Sequence, residues 1–343
     1  MIRRVFAVLL LVTVAGCATM DDSTVELTIR PGSSFREIAD SLHAHDVVMF
    51  PRLFGAYNAR RGRDRSTRYG TYLIKRGASW EGILHALQTG EGIINRVTVP
   101  EGLPLWESLP LISAKLTIPL DSLEVAVRDT ALLRRLGVPK GTTTIEGYLY
   151  PETYDFPSQV TARYVVERMV ERFEQRWDPA WDARLTELKM TRHQVVTLAS
   201  IVEKEVERES ERTTVAAVYH NRLKVGMALQ ADPTVQYARR VRPGRVLYSH
   251  LTVDSPYNTY KYPGLPPGPI AAPRAASLKA TLFPAAVPYR FFVAHPDGHH
   301  EFRRTYEEHL EAITYVREAA RQDSLARLDS IARADTTRET PLP

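Results

Sequence analysis

A segment rich in proline and glycine, residues 262–270, places the strongest limit on how this chain can fold. Its sequence is Tyr-Pro-Gly-Leu-Pro-Pro-Gly-Pro-Ile, and four prolines in nine residues rule out a long helix. It lies in an irregular stretch, 225–300, within which residues 289–294 are typical of a buried strand. Apolar residues at helical spacing predict helices over roughly 105–117, 121–136, 160–176, 191–224 and 305–333. Because strands and helices do not alternate regularly, the pattern favours the α+β class over a doubly wound sheet.

The N-terminal part contains two similar strand–turn–helix patterns in succession, a twofold repeat. Residues 25–29 alternate apolar and polar side chains, and a turn ending in Ser34 leads into apolar residues at helical spacing. Residues 70–74 repeat the strand pattern, and a turn ending in Ser79 leads into a second helical pattern. We therefore predict two domains, a small α/β module at 24–94 and a larger mixed α+β domain at 95–334.

The N-terminus is typical of an export signal that ends in a lipidated cysteine. A basic start precedes an apolar run, residues 5–15, and small residues then lead to Cys17. The run is well short of the roughly 20 residues that a membrane-spanning helix needs. We expect a lipoprotein-type signal peptide at 1–16 with Cys17 as the lipid anchor. A plain signal peptide or a short uncleaved anchor are the alternatives. At the other end, residues 335–343 are polar and predict a disordered tail.

Composition excludes some classes of function. Cys17 is the only cysteine, so an intrachain disulfide and a cysteine-based metal cluster are both excluded. The formal charge of +5, less the two arginines of the signal, leaves +3, which is too mild to indicate nucleic-acid binding. His295, His299 and His300 lack the spacing of a helix-borne metal pair, and we expect them to bond to backbone or solvent. No metal or organic cofactor is predicted.

A helical stripe that ends in a charged run is the most informative part of the chain. Thr191 and Gln194 form a capping-box pattern, and the apolar residues that follow have helical spacing. The centre of the apolar face is formed by Val195, Ala199, Val202 and Val206. At 100° per residue, Glu203 and Glu205 fall roughly 80° to either side of that centre, and Lys204 points away. Partial burial at such a boundary can raise a carboxyl pKa, but helical geometry alone does not choose between the two glutamates.

Other parts of the chain combine carboxylates, amides and tyrosines. They are residues 146–154 (Glu-Gly-Tyr-Leu-Tyr-Pro-Glu-Thr-Tyr), 221–222 (Asn-Arg), 230–232 (Gln-Ala-Asp) and 257–260 (Tyr-Asn-Thr-Tyr). Aromatic rings stack on sugar faces, and amide and guanidinium groups hydrogen-bond to hydroxyl and N-acetyl groups. Together with a carboxyl at the core edge, these groups favour a carbohydrate-active enzyme that performs acid–base chemistry on a glycosidic bond.

The ordered blocks around these residues resemble one known family. The blocks are Glu146-Gly-Tyr148, Tyr150-Pro151, Thr153-Tyr154, Ala199-Ser-Ile-Val-Glu-Lys-Glu205, Asn221-Arg-Leu223, Gly226-Met227, Leu229-Gln230, Asp232-Pro-Thr234, Ser255-Pro-Tyr-Asn-Thr-Tyr260, Gly264-Leu-Pro-Pro-Gly-Pro-Ile270 and His300-Glu-Phe302. Over about residues 24–315 the chain resembles the endolytic murein transglycosylases, the YceG-like or MltG family. The resemblance implies a LysM-like first module. It also implies a catalytic acid at the first glutamate of the Ile-Val-Glu-Lys-Glu motif, which is Glu203 here, with Glu205 as the next candidate. The implied substrate-positioning residues are Glu146, Tyr148, Asn221, Gln230, Asp232, Tyr257 and Asn258.

The resemblance further implies a reaction that a single carboxyl can perform. Such enzymes cleave the β-1,4 bond between N-acetylmuramic acid and N-acetylglucosamine in nascent peptidoglycan, and so terminate glycan elongation. A protonated glutamate donates to the leaving oxygen and then accepts a proton from the muramyl C6 hydroxyl, which closes on C1 as a 1,6-anhydro end. The expected partners are glycan strands and penicillin-binding synthases. The expected location is the membrane, with the catalytic domain on the periplasmic side and the inner membrane favoured.

Three features depart from the family pattern. The family motif Asn-Pro-Gly is Ala-Pro-Arg here, at 272–274, and the family motif Glu-His-Asn is Glu-His-Leu, at 308–310. The usual transmembrane helix is replaced by the short apolar run with Cys17. These changes leave the glutamate motif intact. The alternatives are a muramidase that hydrolyses the same bond with water, and a lipoprotein that binds the cell wall without cutting it.

Overall fold

The computed structural model describes residues 23–61, 67–241, 244 and 246–336. The predicted signal peptide, Cys17 and residues 337–343 of the predicted tail lie outside the described residues. Within the described part, no helix is both long and apolar enough to cross a membrane. The chain separates into two compact units, of which the first holds residues up to Asn95 together with 155–158, and the second holds 96–154 and the residues from 159 onward.

The first unit contains the twofold strand–turn–helix repeat that the sequence predicts. Its elements are β1 (Thr24–Ile29), α1 (Phe35–Ala44), α2 (Pro51–Arg60), β2 (Gly70–Lys75), α3 (Trp80–Thr89) and β3 (Ile93–Thr98), whose last residues count with the second unit. Strands β1 and β2 pair antiparallel with Leu27 opposite Tyr72, and both side chains are buried. Ser34 and Ser79 cap α1 and α3, which confirms the two predicted N-caps. The sequence pattern does not predict α2, because this helix begins at a proline without a side-chain cap. The LysM-like identity of the module stays a prediction.

The second unit is mainly helical. Its elements are α4 (Leu105–Leu116), α5 (Leu120–Ala126), α6 (Thr130–Arg135), α7 (Ala162–Arg176), α8 (Trp181–Leu188), α9 (Arg192–Glu205), α10 (Arg212–Lys224), α11 (Asp232–Arg239), α12 (Ala275–Leu282), β5 (Phe291–Ala294), β6 (His300–Arg303) and α13 (Tyr306–Thr336), with 3-10 turns at Glu209–Glu211 and Tyr248–Thr252. Strand β4 (Thr153–Pro157) begins in the second unit, and its last three residues count with the first. Strands β1 to β4 form one sheet in that order, and β5 pairs antiparallel with β6. This mixture of helices and separate sheets confirms the predicted α+β class.

Every predicted helical pattern contains helix, but two of the patterns each divide into two helices, and several short helices have no recognisable pattern. Helices α4, α7 and α13 and strand β5 confirm the corresponding predictions. The pattern over 121–136 divides into α5 and α6, and the pattern over 191–224 divides into α9 and α10, with Val206 in an extended conformation at the break. The pattern does not predict α8, α11 and α12, which have eight residues each. A helix of that length shows only about two turns of periodicity.

Helix α9 lies in the middle of the second unit. Its residues from Val195 to Val202 are all 1% exposed or less. The helix packs against α8, α10, α11 and α12. Its N-terminus has the predicted capping box between Thr191 and Gln194. The Pro-Gly segment reaches its flank, where the amide of Ile270 donates to Ser200 Oγ at 3.0 Å. The apolar face therefore fixes the axis of α9, and the last turn carries the two glutamates.

Replacement of Gly147 by alanine is expected to destabilise the second unit strongly. Gly147 has a left-handed backbone (φ +83°), and a Cβ there would lie 2.5 Å from Pro269 Cβ. Steric overlap adds to the left-handed strain, so we expect Gly147→Ala to lower the free energy of unfolding by about 3 kcal/mol or more. Gly137 is the matched control, because its φ is +68° and nothing lies within 4 Å of a Cβ there. Gly137→Ala is expected to cost about 1 kcal/mol. Equal losses in urea unfolding of the two variants would contradict a tight contact between Gly147 and Pro269.

Candidate active site

A cleft of about 650 Å³ lies in the second unit beside the C-terminal end of α9. The end of α9, the start of α11, the β5–β6 hairpin and the first turns of α13 all contribute to its walls. Its polar and aromatic lining includes Glu205, Arg222, Gln230, Asp232, Tyr248, Tyr260, Phe292, His300, Tyr306, His309 and Arg317. A carboxyl, an amide and several aromatic rings in a cleft of this size suit a ligand with polar edges and flat faces, such as a sugar chain.

Glu205 is the carboxyl of the α9 motif that lines this cleft. Its side chain is partly buried, and the hydroxyl of Tyr219 on α10 donates to Glu205 Oε1 at 2.9 Å. The pKa of Glu205 is raised to about 7, chiefly by burial and also by the negative charge of Asp232, while the hydrogen bond from Tyr219 and the charge of Arg222 act in the opposite direction. A carboxyl with this pKa is present in both protonation states near neutral pH, as a group that first donates and then accepts a proton requires.

Glu203 has a different environment on the α12 side of α9. Its side chain is only 3% exposed. Glu203 Oε2 accepts hydrogen bonds from Ser277 Oγ at 2.7 Å and from the amide of Arg274 at 3.0 Å. Glu203 Oε1 accepts one from Arg274 Nε at 3.1 Å and lies 3.6 Å from Nη1 of the buried Arg212. Both carboxylate oxygens are thus occupied by protein donors, and Glu203 does not belong to the cleft lining. Its assignment as the catalytic acid stays a prediction.

The helical rotation of 100° per residue explains why the two glutamates face different partners. The predicted positions on either side of the apolar centre are confirmed: Glu203 faces α12 and Glu205 faces α10. Lys204 lies between them and donates from Nζ to the carbonyl of Gly102 at 3.0 Å. Burial lowers the pKa of Lys204, while the nearby carboxylates of Glu107 and Glu203 raise it. Three consecutive side chains therefore anchor the last turn of α9 in three directions.

Two of the predicted substrate-positioning residues line the cleft. Gln230 is exposed, and its backbone is left-handed (φ +50°). Its backbone amide donates to the carbonyl of Thr259 at 3.1 Å. Asp232 begins α11, and Asp232 Oδ1 accepts a hydrogen bond from the hydroxyl of Tyr260 at 2.6 Å. The side-chain amide and the carboxylate therefore stand on the same wall of the cleft as Tyr260. This is the arrangement that hydrogen bonding to sugar hydroxyl and N-acetyl groups needs.

Glu146 lies away from the cleft lining, at the N-terminus of α4. It is 4% exposed, and its two carboxylate oxygens accept from the amide of Leu105 at 3.0 and 3.1 Å. The hydroxyl of Tyr237 also donates to it, at 3.3 Å. Burial raises the pKa of Glu146 to about 7, and the hydrogen bonds from Leu105 and Tyr237 oppose that rise. These contacts cap a helix, and a role in substrate positioning stays a prediction.

The remaining four predicted residues hold loops in place in this structure. Asn221 Nδ2 donates to the carbonyls of Val287 and Tyr289, and Asn258 Nδ2 donates to those of Leu251 and Val253, all at 2.8 to 2.9 Å. The buried hydroxyl of Tyr148 lies 3.1 Å from His193 Nδ1. The ring of Tyr257 packs on Tyr237, with 4.7 Å between centroids. None of these four lines the cleft, so their contact with substrate stays a prediction.

Sequence reasoning missed the partners that give the cleft its chemistry. Tyr219 is buried on α10 and looks like any other core aromatic residue in the sequence. His300 lines the cleft, and its Nδ1 lies 2.7 Å from Glu211 Oε2. Only the tertiary fold brings Glu211 and His300 together, since 89 residues separate them. The one signal that could have indicated Tyr219 is a tyrosine 14 residues after a motif glutamate, in the helix that follows.

The predicted environment of the three histidines is wrong. The side chain of His295 pairs with Glu301, that of His299 with Asp297, and that of His300 with Glu211. All three side chains therefore have a carboxylate partner, which the prediction of backbone or solvent partners did not include. Within the part of the chain that the structure describes, no group of three or more His, Cys, Asp or Glu side chains is arranged to hold a metal ion.

The sequence and the fold are similar to those of one family over most of the chain. The family model described as the YceG-like family matches residues 27–315. The endolytic murein transglycosylase of Bacillus subtilis (strain 168) is 32% identical over 303 residues, which cover 84% of this chain and 84% of that protein. The protein of the same name from Streptococcus pneumoniae (strain D39) is 25% identical over 316 residues, which cover 83% of this chain and 57% of that protein. The crystal structure of a yceG-like protein from Listeria monocytogenes matches with a TM-score of 0.61 and 30% identity, covering 84% of this chain and 98% of that one.

Replacement of Tyr219 by phenylalanine is expected to raise the pKa of Glu205 above 7. The hydroxyl stabilises the charged carboxylate, so its removal leaves burial unopposed and favours the protonated form. The measurement is a ¹³C NMR titration of the glutamate side-chain carboxyls. Tyr237→Phe is the matched control, because it removes the corresponding hydroxyl from Glu146 and leaves Glu205 alone. An unchanged titration of Glu205 in Tyr219→Phe would show that the hydrogen bond does not set its acidity.

Proposed function

We propose that this chain, which belongs to the YceG-like family, is an endolytic lytic transglycosylase of peptidoglycan. It cleaves the β-1,4 bond between N-acetylmuramic acid and N-acetylglucosamine in nascent strands, leaves 1,6-anhydro ends and so terminates glycan elongation. The names of the relatives support the reaction class. The observation that carries the proposal is the carboxyl of Glu205, which has a pKa of about 7 and lines a cleft of about 650 Å³.

Each step of the reaction needs one proton transfer at the same carboxyl. Protonated Glu205 donates to the glycosidic oxygen as the bond from C1 to that oxygen breaks, and N-acetylglucosamine leaves with the proton. The Glu205 carboxylate then takes the proton of the muramyl C6 hydroxyl as O6 bonds to C1. The acid is regenerated, and no water is consumed. The nucleophile belongs to the substrate, so the reaction needs no second carboxylate.

The environments of the two motif glutamates favour Glu205 over Glu203 as this acid. A proton donor must reach the glycosidic oxygen, and Glu205 borders the cleft whereas the oxygens of Glu203 are occupied by Arg274, Ser277 and Arg212. Desolvation is also the largest cause of the raised pKa at Glu205, which is the usual means of keeping a carboxylic acid protonated near neutral pH. Glu203, which the family resemblance implies, is kept as the competing assignment in the experiment below.

Substrate binding, partners and location complete the proposal. Gln230 and Asp232 are suited to hydrogen bonds with sugar hydroxyl and N-acetyl groups, and the rim tyrosine Tyr248, 86% exposed, is suited to stack on a sugar face. We propose lipid anchoring through Cys17, with the catalytic unit on the periplasmic side of the inner membrane. Penicillin-binding synthases are the proposed neighbours, because they supply nascent strands.

A hydrolytic muramidase is the second candidate, and Asp232 is the observation that favours it. Asp232 lines the same cleft as Glu205, and its charge raises the pKa of Glu205, so the two carboxyls interact. An inverting hydrolase uses one carboxylic acid as proton donor and a second carboxylate to activate water. In that case Asp232 would be the base, and the products would end in reducing sugars.

Mass spectrometry of digested peptidoglycan separates these functions and the two glutamates. We expect wild type to release muropeptides with 1,6-anhydro ends, which are one water lighter than reducing ends. Glu205→Gln is expected to abolish them, whereas Glu203→Gln is expected to retain measurable activity in the fraction that folds. If wild type released only muropeptides with reducing ends, and Asp232→Asn released none, the protein would be a muramidase. Loss of anhydro ends in Glu203→Gln, with full activity in Glu205→Gln, would identify Glu203 as the acid. If wild type released no products at all, the protein would be one that binds the cell wall without cutting it.

The pH dependence of kcat/KM is expected to report the proton on Glu205. Activity should fall above pH about 7, because the free enzyme must carry that proton to protonate the leaving group. Asp232→Asn should move the descending limb to lower pH, since loss of a neighbouring negative charge makes the carboxyl easier to ionise. Tyr219→Phe should move it to higher pH. If the descending limb of the kcat/KM profile stayed at the same pH in both variants, another group would control the rate.

A further inference from the structure

Arg274 links several segments beside the last turn of α9. Its backbone amide and Nε donate to the two carboxylate oxygens of Glu203, at 3.0 and 3.1 Å. Its terminal nitrogens lie 3.5 Å from Oε1 of Glu101 and 3.5 Å from Oε2 of Glu209. A single side chain at the start of α12 therefore connects α9, the loop before α4 and the 3-10 turn before α10.

The segments that Arg274 connects are also joined through their backbones and through Lys204. The amide of Gly102 donates to the carbonyl of Ala272 at 2.9 Å, and the amide of Ala272 donates to the carbonyl of Leu103 at 3.0 Å. Lys204 Nζ donates to the carbonyl of Gly102 at 3.0 Å. The loop before α4 and the segment before α12 thus form one support, and both Lys204 and Glu203 attach α9 to it.

The last turn of α9 depends on side-chain anchors more than the rest of the helix does. The final carbonyls of a helix have no partners in a following turn. The chain leaves α9 at Val206 in an extended conformation, and the next regular element begins at Glu209. The direction of Glu205 therefore depends on what holds Glu203 and Lys204.

Arg274 supplies a guanidinium contact to Glu203 in addition to the contacts from Ser277 and Arg212. It is the third residue of Ala-Pro-Arg at 272–274, directly before α12. Without the Arg274 side chain, Glu203 would keep Ser277 and Arg212 but lose the guanidinium contact. The guanidinium group of Arg274 also lies between Glu203 and solvent, since the Arg274 side chain is 38% exposed and the Glu203 side chain is 3% exposed.

We propose that Arg274 is a positioning residue for the cleft carboxyl: by holding Glu203, it fixes the last turn of α9 and thereby aims Glu205 into the cleft. This proposal rests on the proposed function of the cleft and adds a residue that acts through Glu203 rather than on the substrate. Because Ser277 and Arg212 still hold Glu203 when Arg274 is removed, the fold persists while the turn loosens. The expected effect is on kcat more than on KM, because chemistry depends on the direction of the acid more steeply than binding does.

The experiment compares Arg274→Ala with a matched control, Arg172→Ala. Arg172 is 37% exposed and contacts Glu152, which also accepts from Arg176 at 2.8 Å, so it too is one of two arginines on a single glutamate. Glu152, Arg172 and Arg176 take no part in the cleft lining. We expect the two variants to lose similar thermal stability. Arg274→Ala should lower kcat about tenfold with KM nearly unchanged, whereas Arg172→Ala should keep wild-type kcat. Arg274→Lys, which retains the charge but not the fork, should recover part of the loss.

A double variant tests whether Arg274 acts through Glu203. Glu203→Gln combined with Arg274→Ala should have a kcat close to that of Glu203→Gln alone, because both changes release the same turn. Multiplicative losses would mean that Arg274 acts by another route. Equal kcat values for Arg274→Ala and Arg172→Ala would overturn the proposal outright.

A readout that does not require activity separates this proposal from the proposed function. In ¹³C NMR titration, Glu205 should titrate near 7 in wild type and in Arg172→Ala, and move away from that value in Arg274→Ala as the turn loosens. If wild type yields no anhydro ends but the titration moves, the positioning role stands and the proposed function fails. If wild type yields anhydro ends and neither kcat nor the titration responds to Arg274→Ala, only the positioning role fails.

Discussion

The buried ion pair between Glu203 and Arg212 is the contact on which the geometry of the candidate active site depends. Both side chains are 3% exposed or less, and the two groups lie 3.6 Å apart. Removing one partner of such a pair leaves an unpaired buried charge and typically costs about 3–5 kcal/mol. The pair joins α9 to α10, and Tyr219 on α10 in turn contacts Glu205. Helices α9 and α10 are thus joined by a buried ion pair between Glu203 and Arg212 and by a hydrogen bond from Tyr219 to Glu205, which lines the cleft.

Two glutamates in one helical turn have different environments although their side chains are identical. Glu203 is surrounded by cations and a hydroxyl, which satisfy a carboxylate. Glu205 is desolvated with a single hydroxyl donor, which leaves it close to the point of ionisation at neutral pH. The first arrangement suits a structural anchor and the second suits a proton carrier. The separation of roles needs no difference in residue type, only the 200° that two residues rotate around a helix.

Much of this arrangement could be predicted from the sequence, and the rest depends on distant partners. The capping box at Thr191, the apolar face of α9 and the placement of both glutamates beside it follow from local periodicity. The choice between the glutamates does not, because Arg274 and Ser277 lie more than 70 residues from Glu203 along the chain. The resemblance to a family implies Glu203 as the acid, which stays a prediction, whereas Glu205 is the carboxyl of the motif that lines the cleft.

The predicted sugar-binding residues divide for a similar reason. Asparagine is equally suited to a sugar hydroxyl and to a backbone carbonyl. Asn221 and Asn258 each donate to two carbonyls of neighbouring loops, whereas Gln230 and Asp232 remain at the cleft wall. Which use a side chain serves depends on whether an irregular segment with unsatisfied carbonyls lies within reach, and residue type does not reveal that.

The hydrogen bond between Tyr219 and Glu205 also bears on how the protein tolerates its surroundings. Dissolved salt weakens interactions between exposed charges, but it has little effect on burial or on a contact with a neutral hydroxyl. Burial is the largest cause of the acidity of Glu205 and the hydrogen bond from Tyr219 is the next, ahead of the charges of Asp232 and Arg222, which act in opposite directions. A carboxyl tuned in this way keeps its strength as an acid when the medium becomes more dilute or more saline. At the periplasmic location proposed above, that insensitivity would let the proposed reaction proceed at a similar rate through changes in osmolarity.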